Sequence, residues 1–240
     1  MLNINFNQFK NNHKKGKNQC IYHVINSDGT KQILNLINNF LIEKNSFIFE
    51  SVEKGKIRGR YTIFGKKPDK IWEFNDNKGY LFVNNKKRKI NGRPKDIIDK
   101  IIEKFQFKTP KELPSISCLL AGYFSYEIIR YVENIPNSCK NDLNLPDTRI
   151  IRPRVLIIHD NLKKKIYFIY NCYSEEKINN YKKRYNEVVS QIEYNVFLSN
   201  LEVNNKVQSK QKNIKVKSNI SKKNFISIVK KAKKYIKIGD

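Results

Sequence analysis

Two polar side chains on one predicted hairpin, Ser51 and Arg60, are of the types and spacing that could hold a small ligand. In residues 46–65, SFIFESVEKGKIRGRYTIFG, Phe47, Phe49 and Ser51 alternate with Ile48, Glu50 and Val52. That period of two predicts a strand with both faces substantially buried. Lys54-Gly55-Lys56 reads as a turn, Arg60 to Phe64 resumes the strand pattern, and Gly65 ends it. Phe47, Phe49 and Ser51 share one face, so an apolar wall ends in a hydroxyl. Arg60, on the partner strand, can meet a carboxylate. The mixture suits a small ligand with an apolar body and charged groups. From spacing alone a plainer reading stands ahead of it, with Ser51 a satisfied strand-end hydroxyl and Arg60 a surface cation.

The other reactive side chains form no constellation. Glu127 and Glu133 read as ion-paired groups on a helix surface rather than an acid–base pair. Cys20, Cys118, Cys139 and Cys172 contain no C-x-x-C pair, which signals neither a metal site nor a disulfide framework and fits a reduced, cytoplasmic protein. His13, His23 and His159 sit near no clustered acids or thiols and read as ordinary histidines. The amino terminus lacks the apolar core of a secretory signal. No apolar run approaches the ~18 residues of a membrane span.

The formal charge of +26 raises a basic nucleic-acid-binding module as one reading. The lysines are spread along the whole chain, however. The short clusters Lys66-Lys67, Lys86 to Lys89 and Lys163 to Lys165 fall where turns are expected. A lysine- and asparagine-rich composition with solvated lysine on every face accounts for the charge, so no specific nucleic-acid partner is expected. The 240 residues allow a sizeable core, and 12% aromatic content excludes a disordered chain.

The elements that must position the hairpin follow in order. Residues 1–18 are polar and basic and read as a flexible arm. Cys20 to Ile25 alternates as a strand, and Asn26-Ser27-Asp28-Gly29 is a turn. Ile33, Leu36, Ile37 and Phe40 give an amphipathic helix. After the hairpin, Lys70 to Phe74, Gly79 to Val83 and Lys86 to Ile90 predict an antiparallel meander. Pro94 opens a helix with Ile97, Ile98 and Ile101 on its buried face. Ile116 to Phe124 reads as a buried strand leading through Ser125 into a helix closed by Pro136. Arg154 to His159 and Ile166 to Tyr170 pair as strands, and a helix carries Ile178 to Val196. Residues 199–217 have no period and read as a linker. Ser221 then caps a helix bearing Phe225, Ile228, Val229, Ala232, Tyr235 and Ile236, with Gly239 just past its end. The fold class is α+β, mostly antiparallel sheet with packed helices.

Four segments carry a resemblance. The hairpin order F-x-F-E-S-V-E-x-G-x-x-x-G-R-Y-x-x-x-G is similar to the "LLES…GRYS" hairpin of the anthranilate synthase component I family. A-G-Y-F-S-Y-E-x-x-R-x-V-E-x-x-P over 121–136 and L-P-D-x-x-x-x-R-P-R-V-x-x-x-x-D over 145–160 resemble the matching region at the same spacing. Ser218 to Asp240 resembles the segment that opens the family's chorismate-binding domain. One departure is Lys31-Gln32 where the family commonly has Thr-Pro before the first helix. The related aminodeoxychorismate synthase component I, of the folate pathway, is the alternative, with a looser first block and a poorer second.

The resemblance implies an amino-terminal portion only. Residues 19–198 would be the tryptophan-binding regulatory domain, 199–217 a linker, and 218–240 the start of the catalytic domain. The implied reaction converts chorismate and ammonia to anthranilate and pyruvate, the first step of tryptophan biosynthesis. Ammonia comes from a glutamine amidotransferase subunit, component II, and Mg²⁺ is the cofactor. The acid–base groups and Mg²⁺ ligands would lie beyond Asp240, so no catalytic or metal residue is expected in this chain, and the chain alone is expected to be inactive. Glu50 and Ser51 match the pair that binds the feedback inhibitor L-tryptophan, with Arg60 facing its carboxylate. The resemblance thus reverses the plainer reading of the hairpin.

Overall fold

The computed structural model describes residues 2–40, 42–50, 59–105, 107–136, 141, 143–201 and 217–239. The chain divides into two compact units, Met1–Glu202 and Val203–Asp240. The first holds an eight-stranded antiparallel sheet.

Two long strands form the spine of that sheet: β3 (Tyr61–Asn75) and β7 (Thr148–Asp160). They pair along their whole length, from Tyr61 opposite Asp160 to Phe74 opposite Thr148. Each has different outer neighbours at its two ends. At one end β2 (Phe47–Phe49) pairs with β3, while β8 (Lys165–Cys172) pairs with β7 and β1 (Gln19–Asn26) with β8. At the other end β4 (Lys78–Val83) and β5 (Lys86–Ile90) extend the sheet beyond β3, and β6 (Ala121–Phe124) extends it beyond β7. The exchange happens at a waist where Pro68 faces Pro153 and the register shifts before Lys70. Neither proline offers an N–H, so the ladder is weakest there and a bulge is the natural outcome.

The predicted hairpin is therefore placed differently at its base. Gly65 does not end the strand; β3 runs through it and on to Asn75. Gly65 pairs with Phe47, and a Cβ at Gly65 would lie 2.1 Å from that ring. The glycine is thus where the aromatic ring lies flat on the backbone. The predicted Lys54-Gly55-Lys56 turn lies outside the described residues. Two of the three lysine clusters are not turns. Lys66 is fully buried within β3, its ammonium 2.8 Å from Glu43 and 4.5 Å from the centre of the Phe40 ring, and Lys86 to Lys89 form most of β5.

Both faces of the spine are covered. On one face Val155, Ile157, Ile166 and Phe168 meet three helices: α1 (Phe6–Lys14), α2 (Thr30–Phe40) and a later helix, Tyr181–Asn200. Alternate residues Leu156, Ile158, Tyr167 and Ile169 meet a strap that includes Leu113, Ile116 and Cys118. A third cluster packs Trp72, Phe74 and Leu81 against Ile97 and Ile98 of α3 (Pro94–Lys104). The Tyr181–Asn200 helix is α4.

Three sequence expectations change here. Residues 1–18 contain α1 rather than being a loose arm throughout: Asn5 and Gln8 form a reciprocal capping box, and Phe9 is fully buried. Phe6 and Phe9 are the only apolar residues of this short helix, too few to show a period. The predicted strand and helix across 116–136 are a short 3₁₀ turn (Ser115–Ser117), the four-residue β6, and a 3₁₀ helix (Tyr126–Tyr131). Residues 199 and 200 of the predicted linker belong to α4, and 202–216 lie outside the described residues.

In the second unit, α5 (Lys222–Ile238) has the predicted caps. The Ser221 hydroxyl accepts from the Asn224 N–H at 3.2 Å, and Gly239 takes the left-handed conformation at φ 78°.

Candidate functional site

The face of β2 predicted to bind a ligand does line a cavity. Its volume is about 450 Å³, and it is bounded by Asn45, Ser46, Phe47 and Phe49 on one side, Ala121, Gly122 and Tyr123 on the other, and Arg149 and Ile151 of β7. The Phe47 and Phe49 rings stand 4.7 Å apart and tilted, and Phe49 is 47% exposed. β6 approaches β7 so closely that a Cβ at Gly122 would sit 2.0 Å from the Arg149 carbonyl oxygen, so only glycine fits there.

The cation of this cavity is Arg149, not Arg60. Arg149 bonds Asn45 Oδ1 at 2.6 Å and lies 3.1 Å from Glu73. Both contacts leave part of its five-donor fork for a ligand carboxylate. Arg60 instead grips Asp160 through two bonds, at 3.0 and 2.7 Å, and stacks over the Tyr61 ring at 4.7 Å. Asp160 also accepts the Leu162 and Lys163 N–H groups at 3.0 Å each. Burial opposes ionisation of Asp160, but Arg60 and the two N–H groups outweigh it and hold the carboxyl below its usual range. Arg60 is thus engaged at the end of the spine. Glu50 is exposed just past β2, and Ser51 lies outside the described residues.

Reading the sequence misses Arg149 and the β6 wall. The available signal was the glycine inside an apolar run, Ala121-Gly122-Tyr123-Phe124, which marks a close backbone approach. The motif residues nearby do structural work. The Tyr131 hydroxyl donates to Asp147 at 2.7 Å, and the Asp76 N–H reaches the same carboxylate. Burial and that contact push the Tyr131 phenol up, so it stays a neutral donor. Glu127 pairs with Arg130 one turn on, as expected of a surface carboxylate.

The R-P-R motif, Arg152-Pro153-Arg154, is the waist itself. Arg152 holds Asp69 and Glu175 and stacks over Tyr173 at 3.7 Å. Arg154 holds Glu176 at 2.7 Å, and Arg184 of α4 shares that carboxylate. Where the strands lose their outer neighbours, paired charges take over.

A larger cleft, about 560 Å³, lies between β4, β5 and α3 with Trp72 and Leu81 at its floor and Arg88, Lys100 and Lys104 on its walls. It contains none of the predicted site residues. Among the described residues no group of three or more His, Cys, Asp or Glu side chains could hold a metal ion. No helix among the described residues is long and apolar enough to cross a membrane.

Comparison with known proteins gives these features a context. The profile of a family described as chorismate binding enzyme matches residues 45–240. The chain is 34% identical to anthranilate synthase component 1 of Acetivibrio thermocellus, over 86% of this chain and 43% of that protein. It is 26% identical to anthranilate synthase component 1 of Cereibacter sphaeroides, over 98% of this chain and 48% of that protein. It thus spans under half the length of these relatives. A crystal structure of anthranilate synthase component I from Streptococcus pneumoniae superimposes with a TM-score of 0.55 at 21% identity, over 90% of this chain and 46% of that one, and shares the α+β fold.

Proposed function

The chain belongs to the chorismate binding enzyme family, and within it we propose the amino-terminal portion of component I of anthranilate synthase. Together with the remainder of component I and a glutamine amidotransferase subunit, it takes part in converting chorismate and ammonia to anthranilate and pyruvate, the first step of tryptophan biosynthesis. Mg²⁺ and the acid–base groups belong to that remainder. This portion's own task is to bind the feedback inhibitor tryptophan.

One observation carries the regulatory part of the reading. Strand β2, just before Glu50, presents two aromatic rings to a cavity lined also by Arg149. An indole needs an apolar slot, and a zwitterion needs a few charged partners. Phe47, Phe49, Ala121 and Ile151 supply the slot, Arg149 meets the carboxylate, and Glu50 and Ser51 receive the ammonium end. Arg60 acts indirectly, through the Asp160 contact that anchors the far end of the hairpin.

The test joins this chain to the second half of a relative such as that of Acetivibrio thermocellus and titrates tryptophan against initial rates. Removing a hydroxyl or guanidinium that bonds a charged ligand group costs about 1.5–3 kcal/mol. Ser51→Ala and Arg149→Ala should therefore weaken inhibition roughly ten- to a hundredfold. The kcat and the KM for chorismate should stay nearly unchanged. Full sensitivity in both variants would remove the regulatory assignment, and a collapse in kcat would move the cavity to the active site. The 240-residue chain by itself should form no anthranilate from chorismate, Mg²⁺ and ammonia above a no-protein control, read by product fluorescence.

A further inference from the structure

Two thiols meet where the strap crosses the sheet. Cys20 lies in β1, 5% exposed, and Cys118 lies on the strap between the Ser115–Ser117 turn and β6. Their sulfurs are 3.2 Å apart. Asn171, directly opposite Cys20 in the sheet, holds both in place. Its Oδ1 accepts from the Cys20 thiol at 3.3 Å and lies 3.8 Å from Cys118 Sγ. Its Nδ2 donates to the Ser117 carbonyl at 3.2 Å, which ties down the strap one residue before Cys118. Asn171 is fully buried, so this clamp is part of the core.

We propose that Cys20 and Cys118 are an oxidation site, a thiol pair that a peroxide converts to an intramolecular disulfide. A disulfide needs about 2.05 Å between sulfurs, so the pair closes by roughly 1 Å, shared between two side chains. Cys118 is the more exposed of the two and meets the oxidant first. The hydrogen bond to Cys118, together with burial, pushes the Cys20 thiol far up and keeps it protonated. In the first step the Cys118 thiolate attacks one peroxide oxygen. The O–O bond breaks, hydroxide leaves and takes up a proton, and Cys118 becomes a sulfenic acid. In the second step the Cys20 sulfur attacks the Cys118 sulfur. The S–O bond breaks, and water leaves carrying the Cys20 proton. Two thiols lose two electrons and two protons, and one peroxide becomes two waters.

The bond would lock the strap to β1 three residues before Ala121, where the strap becomes the wall of the candidate cavity. This site stands independently of any ligand in that cavity.

The test treats the native chain with hydrogen peroxide, blocks the remaining thiols with iodoacetamide and maps peptides by mass. The expected result is one cross-linked pair, Cys20 with Cys118, reversed by dithiothreitol and accompanied by a rise in the melting temperature. Cys172→Ser should cross-link like the wild type. In Cys20→Ser, Cys118 should stop at sulfenic acid, trapped by dimedone. The same oxidation in urea is the control for folding. The loop from Cys118 to Cys139 is much shorter than that from Cys20 to Cys118, so the unfolded chain should favour the shorter pairing. A native chain that keeps all its thiols, pairs Cys118 with Cys139 or Cys172, or gives the same products in urea would overturn the proposal.

Discussion

Helices α2 and α5 carry the same kind of local message and meet opposite fates. Each shows apolar residues at three- and four-residue steps. In α2, Ile33, Leu36 and Phe40 are all buried against the sheet. α5 is the better written of the two, with a serine cap at one end and a left-handed glycine at the other, yet no described residue of it is buried. Local signals settle whether a segment is helical. Burial depends on what the rest of the protein offers, and for α2 that is Phe64, Val155 and Ile157. Most of a helix's stability comes from that second source.

Hydrogen exchange should show the largest contrast. Amides of β7 and β8, buried on both faces, should open only with global unfolding. Those of α5 should exchange almost as in a free peptide. The gap then approaches the whole stability of the first unit, about 5–15 kcal/mol for a domain. Protection in α5 equal to that in β7 would mean its apolar stripe is covered in solution, and the contrast would fail.

Truncation in each helix sharpens the same comparison. Leu36→Ala removes a fully buried side chain and should cost about 2–5 kcal/mol in urea unfolding. Ile228→Ala in α5 should change stability by no more than about 0.5 kcal/mol. Similar costs for both would show that α5 packs as firmly as α2.

The smallest expected effect is a pH slope. Burial depresses the His159 imidazole, partly offset by the neighbouring Asp160 carboxylate. Its folded value therefore lies below the unfolded one of about 6.5. Between the two the unfolded chain binds more protons, so stability rises with pH. The contribution is fully present above about pH 6.5 and is lost as pH falls through the folded value. His159→Gln should flatten that part of the profile. α5 has neither histidine nor carboxylate, and its helical signal should not change across the same window.

Elements with a strong period were legible in the sequence. The meander from β3 to β5 was readable because Asp76-Asn77 and Asn84-Asn85 sit at its turns with positive φ, where asparagine and aspartate are tolerated. The β7–β8 pair was readable from its dense apolar run. α1 was not, because Phe9 has meaning only against α4 and the sheet. The buried state of Lys66 depends on Glu43 and Phe40, more than twenty residues back in the chain, and no local pattern encodes such a partner. The candidate site was half legible. Its Phe47–Phe49 face followed from alternation, but Arg149 reaches the cavity through a strand pairing of distant segments. Arg60 looked like a binding cation because Asp160, its actual partner, lies 100 residues away.

The spine also constrains how the chain folds as it is made. β1 emerges first among the strands, but its partner is β8, with Gln19 opposite Cys172. β3 must wait for β7, with Tyr61 opposite Asp160. Until synthesis passes those residues, the meander and the short β2–β3 pairing are, among the described residues, the parts of the sheet whose partners are already present. Long-range pairing of this kind closes slowly and leaves strand edges open meanwhile. A nascent chain of about 150 residues would thus carry β1 without its partner and β3 with its β7-facing edge open, a template for the wrong partner. Lys66 sits within β3 itself, so that edge carries a positive charge during the interval in which it waits for β7.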